Sequence, residues 1–176
     1  LKFFSLDVYD SWCKGDDRGL REARTAYEGH LETLRESVSP RVISLARLPG
    51  LEDALLIRAV SDHREEVLAL RLRGGHLAAG YFDLDLVYKG AAISPEDEQT
   101  LASIARGTQG QWEHLCDLAH HELDLVNGGV LEHRYLFHCS PLDRRWFSIR
   151  CSSVSWRRTP RKGRRIVRMG DRFQRL

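Results

Sequence analysis

Residues 117–138 read DLAHHELDLVNGGVLEHRYLFH, and the Asn127-Gly128 step at their centre decides the fold. Ahead of it the pattern is double: Leu115, Leu118, Glu122 and Leu125 fall at helical spacing, while Leu123 and Leu125 alternate as in a strand. Asn-Gly settles the choice, because a tight hairpin turn needs positive φ at both central residues and this pair adopts it readily. Behind the turn Leu131, His133, Tyr135 and Phe137 alternate as a second strand would. A two-residue loop pairs Glu122 with His133, His120 with Tyr135, Leu118 with Phe137 and Asp117 with His138, which sets unlike charges opposite one another. The expectation is an antiparallel hairpin.

The flanking sequence extends this into an α+β fold: N-terminal helices and one later helix packed on an antiparallel, hairpin-rich β-sheet. Residues 54–60, 66–73 and 77–88 are rich in Leu, Val, Ile and aromatics and read as strands, with Gly74-Gly75 as a hairpin turn between the second and third. Ser94-Pro95-Glu96-Asp97-Glu98 combines a cap, a first-position proline and three acids that favour a helix N-terminus, so a helix is expected to Arg106, closed by Gly107. Residues 146–151 and 154–158 read as closing strands after a loop at 141–145, and Ile166-Val167 offers a further edge strand. Toward the N-terminus, Ser5 caps a short helix to Trp12. Asp16 and Asp17 precede Leu20, Ala23, Tyr27, Leu31, Leu34 and Val38 at helical spacing, and Ser39-Pro40 opens a third helix toward Leu48.

A chain of 176 residues is long enough for one ordinary core, read as a single α+β domain over 1–158 with a basic segment over 159–176. No apolar run nears the ~20 residues of a membrane span, and Leu1 to Ser5 lack the pattern of a signal peptide, so a soluble, cytoplasmic protein is expected. Cys13, Cys116, Cys139 and Cys151 are far apart and are read as reduced, mostly buried thiols.

Charge is divided along the chain. Residues 144–176 carry twelve Arg/Lys and one acid, Asp171, whereas residues 1–143 carry fifteen Arg/Lys against twenty-four acids. A basic end of this kind can seek phosphates elsewhere or fold onto its own acidic body. Its candidate binding residues are Arg157, Arg158, Arg161, Lys162, Arg164 and Arg165, interleaved with Trp146, Phe147, Trp156 and Phe173, a composition compatible with nucleic acid.

Three other groups carry chemistry. The expected hairpin would put His120, Glu122 and His133 on one face, which is a first shell for zinc or iron, although cross-strand His–Glu pairing is ordinary and close ligand spacing is absent. No metal or other cofactor is therefore assigned. His120 and His121, adjacent in a strand, must point to opposite faces. Asp62-His63 could form an acid–base pair but has no nucleophile beside it, so a turn-bonding role is expected. Asp83 and Asp85 share a strand face and read as solvated.

The run Lys2-Phe3-Phe4-Ser5 with Tyr9, the Asp62-His63 step, Glu132-His133-Arg134-Tyr135-Leu136-Phe137 and Trp146-Phe147-Ser148-Ile149 together resemble a family of small bacterial proteins catalogued as a domain of unknown function, number 4085. The resemblance spans residues 1–158 and implies a bacterial, cytoplasmic helix-plus-sheet protein with no assigned catalytic residue. The function expected is non-catalytic binding of another protein, as a regulator or immunity-type inhibitor, with the acidic body suited to a basic partner. The alternatives are nucleic-acid binding through the basic end and a metal-dependent enzyme built on His120, Glu122 and His133.

Overall fold

The computed structural model describes residues 1–76, 80–109, 116–140 and 143–161, which form four helices and seven strands. Helix α1 (Leu6–Cys13) starts where Ser5 Oγ accepts the Val8 amide at 3.4 Å. Helix α2 (Arg18–Leu34) buries Leu20, Ala23, Tyr27, Leu31 and Leu34, the stripe that the spacing predicts. Helix α3 (Pro40–Ala46) has its proline in the first turn, where no amide is needed. In α4 (Pro95–Gln109) Ser94 Oγ accepts the Asp97 amide at 3.0 Å. This helix runs through Gly107, where a stop is expected; a helical glycine costs only about 1 kcal/mol, and no proline follows it to enforce an end.

The strands are β1 (Ala54–Asp62), β2 (Val67–His76), β3 (Gly80–Lys89), β4 (Asp117–Val126), β5 (Val130–Ser140), β6 (Asp143–Cys151) and β7 (Ser153–Arg161). They form one antiparallel sheet in the order β6-β5-β4-β1-β2-β3-β7. Its weak line is the middle. Strands β1 and β4 share only the pairs Ala54 with Leu118 and Leu55 with Asp117, so the two halves splay and fold toward each other. Tyr88 on β3 consequently reaches His133 on β5, with its hydroxyl 2.8 Å from Nδ1, although three strands lie between them in the sheet.

Between the halves lies the main core, where Leu56, Leu72, Leu84, Phe137, Phe147 and Ile149 are buried together with Leu101 and Ile104 of α4. A second cluster forms where Phe4, Tyr27, Leu31 and Leu34 pack on the outer side of the sheet near Leu125. One face of β4 and β5 thus meets the core, and the other is roofed by the N-terminal segment and α2.

Four further expectations are corrected. Gly74 and Gly75 lie inside β2, paired with Phe82 and Tyr81, and the pairing with β3 extends to His76 with Gly80. Their role is close approach: the Gly75 amide donates to Gly50 O at 2.7 Å, and a Cβ on Gly74 would sit 2.5 Å from that oxygen. The central hairpin has three loop residues, because Gly129 joins Asn127 and Gly128 at positive φ and Val126 pairs with Val130. Glu122 therefore faces Arg134, and Leu123 faces His133. A bulge between Leu118 and His120 then restores the expected pairs Leu118 with Phe137 and Asp117 with His138. Asp143 to Arg145 belong to β6, paired with β5, where a loop is expected.

The fourth correction concerns the thiols, since Cys116 and Cys139 form a disulfide between the start of β4 and the end of β5. Local spacing gives no sign of it, for the two come together only through the hairpin. The finding replaces two of the four thiols expected to be reduced with a covalent tie across the hairpin. Cys13 is an exposed free thiol and Cys151 a buried one, which burial pushes up to about 11. No described helix is long and apolar enough to cross a membrane.

Candidate interaction surface

The hairpin does not bring His120, Glu122 and His133 onto one face. With three loop residues the side chains of His120 and Glu122 face the roof, while His133 faces the core, so the sheet itself separates them. Glu122, 1% exposed, accepts the amides of Lys2, Phe3 and Phe4, each at 2.7 Å. A carboxylate holding three N–H groups is an anchor, and it ties the chain's first residues across the sheet. His120 stacks on Phe4 with ring centroids 4.6 Å apart, and its Nε2 is buried with no described partner. Burial, with Arg24 and His121 nearby, pulls His120 down to about 4, so it is neutral near pH 7. Among the described residues no group of three or more His, Cys, Asp or Glu is placed to hold a metal ion.

On the core side, His121 Nδ1 lies 3.0 Å from His133 Nε2, and His133 Nδ1 contacts both Tyr88 and Tyr135 hydroxyls, which also bond to each other. Burial lowers both histidines, His121 to about 4, and raises both tyrosines. All four rings are therefore neutral, and the chain is a satisfied buried network. Asp62 takes the turn role, accepting the amides of Arg64 and Glu65 at 3.0 and 3.2 Å, and His63 meets Glu98 of α4 at 3.1 Å.

Under the roof, Arg134 pairs with Glu132 and lies 3.5 Å from Asp124, which in turn holds His30 Nε2 at 2.8 Å. Burial works against the Glu132 charge, but hydrogen bonds from Arg150 and Arg134 outweigh it and hold its carboxyl below the usual range.

The outer face of β1-β2-β3-β7 has a different character. Arg58, Arg71, Asp85 and Arg157 stand opposite one another across four strands, and Arg73 and Asp83 form the neighbouring row. Arg71 Nε donates to Asp85 at 2.6 Å and Arg157 approaches its other oxygen at 3.4 Å; Arg73 and Arg161 share Asp83 at 2.9 and 3.0 Å. The Arg71 hydrogen bond holds the Asp85 carboxyl below its ordinary value. Four arginines thus meet two aspartates, and a fifth, Arg58, stands beside them. No described carboxylate contacts Arg58, and its cross-strand neighbour Arg71 is a like charge, an arrangement that costs stability. Arg58, Val60, Arg71, Ser155, Arg157 and Thr159 are all exposed.

The expected Arg cluster is thereby divided. Strand β7 continues to Arg161, so Arg157 and Arg161 are held on the body, whereas Arg158 lies on the other side with its guanidinium 4.1 Å from the centre of the Phe82 ring. Lys162, Arg164, Arg165 and the Ile166-Val167 strand lie outside the described residues. Asp83 and Asp85, expected as merely solvated, position these arginines. Sequence spacing missed Arg58, Arg71 and Arg73, although their two-residue alternation against Asp83 and Asp85 carries the signal once β2 and β3 are paired.

No family model matches this chain, and no curated protein or solved structure matches it.

Proposed function

We propose that this protein is a non-catalytic protein-binding module, a regulator or immunity-type inhibitor, whose open arginine face receives an acidic surface of another protein. The observation that carries the reading is the excess of five arginines over two aspartates in the rows around Asp83 and Asp85 on one sheet face, with the aspartates contacting four of the five guanidinium groups. Ordered arginines lose little freedom when they pair with a partner's carboxylates, and their charge speeds encounter. The partner favoured is therefore acidic, the reverse of the one implied by the acid-rich residues 1–143.

The arginine face supports protein over nucleic acid for a second reason. The row on one side is Val60, Ala69, Val87 and Ser155, and on the other side Tyr81 is only 9% exposed, so neither row offers a base an open ring on which to stack. The test compares wild-type protein with Arg58→Glu/Arg157→Glu as baits in bacterial lysate, alongside titration of a labelled oligonucleotide. An acidic protein held by the wild type and released from the variant is the expected result. A bait that retains no protein, or oligonucleotide binding that weakens steeply with salt, would overturn the proposal.

A further inference from the structure

Strand β6 is one edge of the sheet, and its free side is only partly closed by the chain itself. Arg150 exchanges backbone hydrogen bonds with Ala92 at 2.7 and 2.9 Å, and the Ser148 amide is met by Asp97 of α4 at 3.3 Å. Alternate residues of a strand present N–H and C=O to the same side, so Arg144 and Trp146 also face outward. No described residue pairs with their backbone groups. Alongside them runs a groove of about 590 Å³ whose opposite wall is the first turns of α4, with Glu96, Asp97 and Thr100.

The surroundings are those of a protein contact. Trp146 is 54% exposed, and Arg144, two residues earlier on the same face, lies over Tyr9, which contacts the exposed Trp12. Trp, Tyr and Arg are the residues that dominate binding energy at protein interfaces. The arginines of the groove are already engaged: Arg144 with Asp10, Arg145 with Asp143 and Ser103, and Arg150 with Glu132. Glu96 has no described partner. The charge left to satisfy is negative.

We propose that the β6 groove binds an extended peptide segment of a partner protein as an added antiparallel strand. Two of its residues exchange backbone hydrogen bonds with Trp146 and Arg144, and the residue opposite Trp146 is apolar and packs on the indole. A basic residue one or two positions earlier meets Glu96 and Asp97, where the closure at Ser148 and Arg150 turns the peptide out of the groove. This surface is separate from the arginine face and stands even if that face binds nothing.

The experiment selects peptides from a display library of short random sequences and measures their effect on backbone amides by NMR. Enrichment of an apolar residue preceded by Lys or Arg is expected, with protection of the Arg144 and Trp146 amides. Affinity should fall about tenfold or more in Trp146→Ala and in Glu96→Lys, both exposed positions whose change leaves the fold intact. Methylating the peptide nitrogens that donate to β6 should abolish binding, while methylating the intervening nitrogen should not. Selection of no binding peptide, protection confined to amides elsewhere, or equal binding by both methylated forms would each sink the idea. Failure of the wild-type protein to retain any acidic partner, with peptide binding intact, would overturn only the arginine-face proposal.

Discussion

The outer side of the sheet carries two charged patches of similar residues, one under the N-terminal roof and one in water. On β4 and β5, Glu122, Asp124 and Glu132 are buried around Arg134; on β1, β2, β3 and β7, Asp83 and Asp85 are half-buried among five arginines. The lesson is that burial, more than pairing, decides what a charge does. A buried carboxylate must have its partners or the fold suffers, whereas an open one leaves its arginines available to another molecule.

Glu122→Ala should break the roofed patch with the largest effect. It strips the acceptor from three amides at once, leaving donors on the Lys2–Phe4 segment unmet and Arg134 without one neighbour. A loss of about 3–5 kcal/mol is expected from urea unfolding. A loss below about 1 kcal/mol would mean that the roof is not anchored there.

Next in size is the disulfide, which fastens the end of the roofed hairpin. Its loop spans 23 residues, so Cys116→Ala/Cys139→Ala should cost about 3 kcal/mol. In the folded wild type, iodoacetamide should modify exposed Cys13 and spare buried Cys151. Labelling of Cys116 or Cys139 without added reductant would contradict the bond.

The histidines sharpen the contrast by their pH dependence. His120 and His121 sit near 4 in the fold against about 6.5 unfolded, so between those values the unfolded chain binds more protons. Their contribution is complete above the unfolded value and is lost as pH falls toward 4, by about 3 kcal/mol for His120 alone. His120→Phe should flatten the fall in the urea midpoint between pH 6.5 and 4; an unchanged slope would mean that His120 is not held neutral.

The legible parts of the molecule are those whose causes are local. Asn127-Gly128 marks its hairpin through turn chemistry alone, and Ser94-Pro95 marks α4 through its cap. Gly129 was not legible as a third loop residue, since a glycine after Asn-Gly also begins strands, and that single residue moved Glu122 away from His133. Glu122 could not be read as an anchor because its amide partners lie about 120 residues earlier. Arg157 likewise finds Asp85 only through the pairing of β3 with β7, so the basic end looked detachable when its first part is woven into the sheet. The exposed Arg58 and Trp146 were hidden for the opposite reason: nothing in a strand's alternation says which face stays in water.

The smallest expected change in stability is the most informative about function. Asp85→Asn removes the carboxylate shared by Arg71 and Arg157, yet both guanidinium groups keep access to water, so the cost should stay within about 1 kcal/mol and shrink further in salt. If the aspartates serve to order arginines for an acidic partner, the substitution adds net positive charge while loosening the guanidinium groups. Association should then stay fast, while dissociation of the captured partner accelerates. Surface-binding kinetics against that partner separate the two effects. An unchanged dissociation rate would show that the Asp–Arg rows do not preorganise the face, and a stability loss matching that of Glu122→Ala would erase the distinction between the two patches.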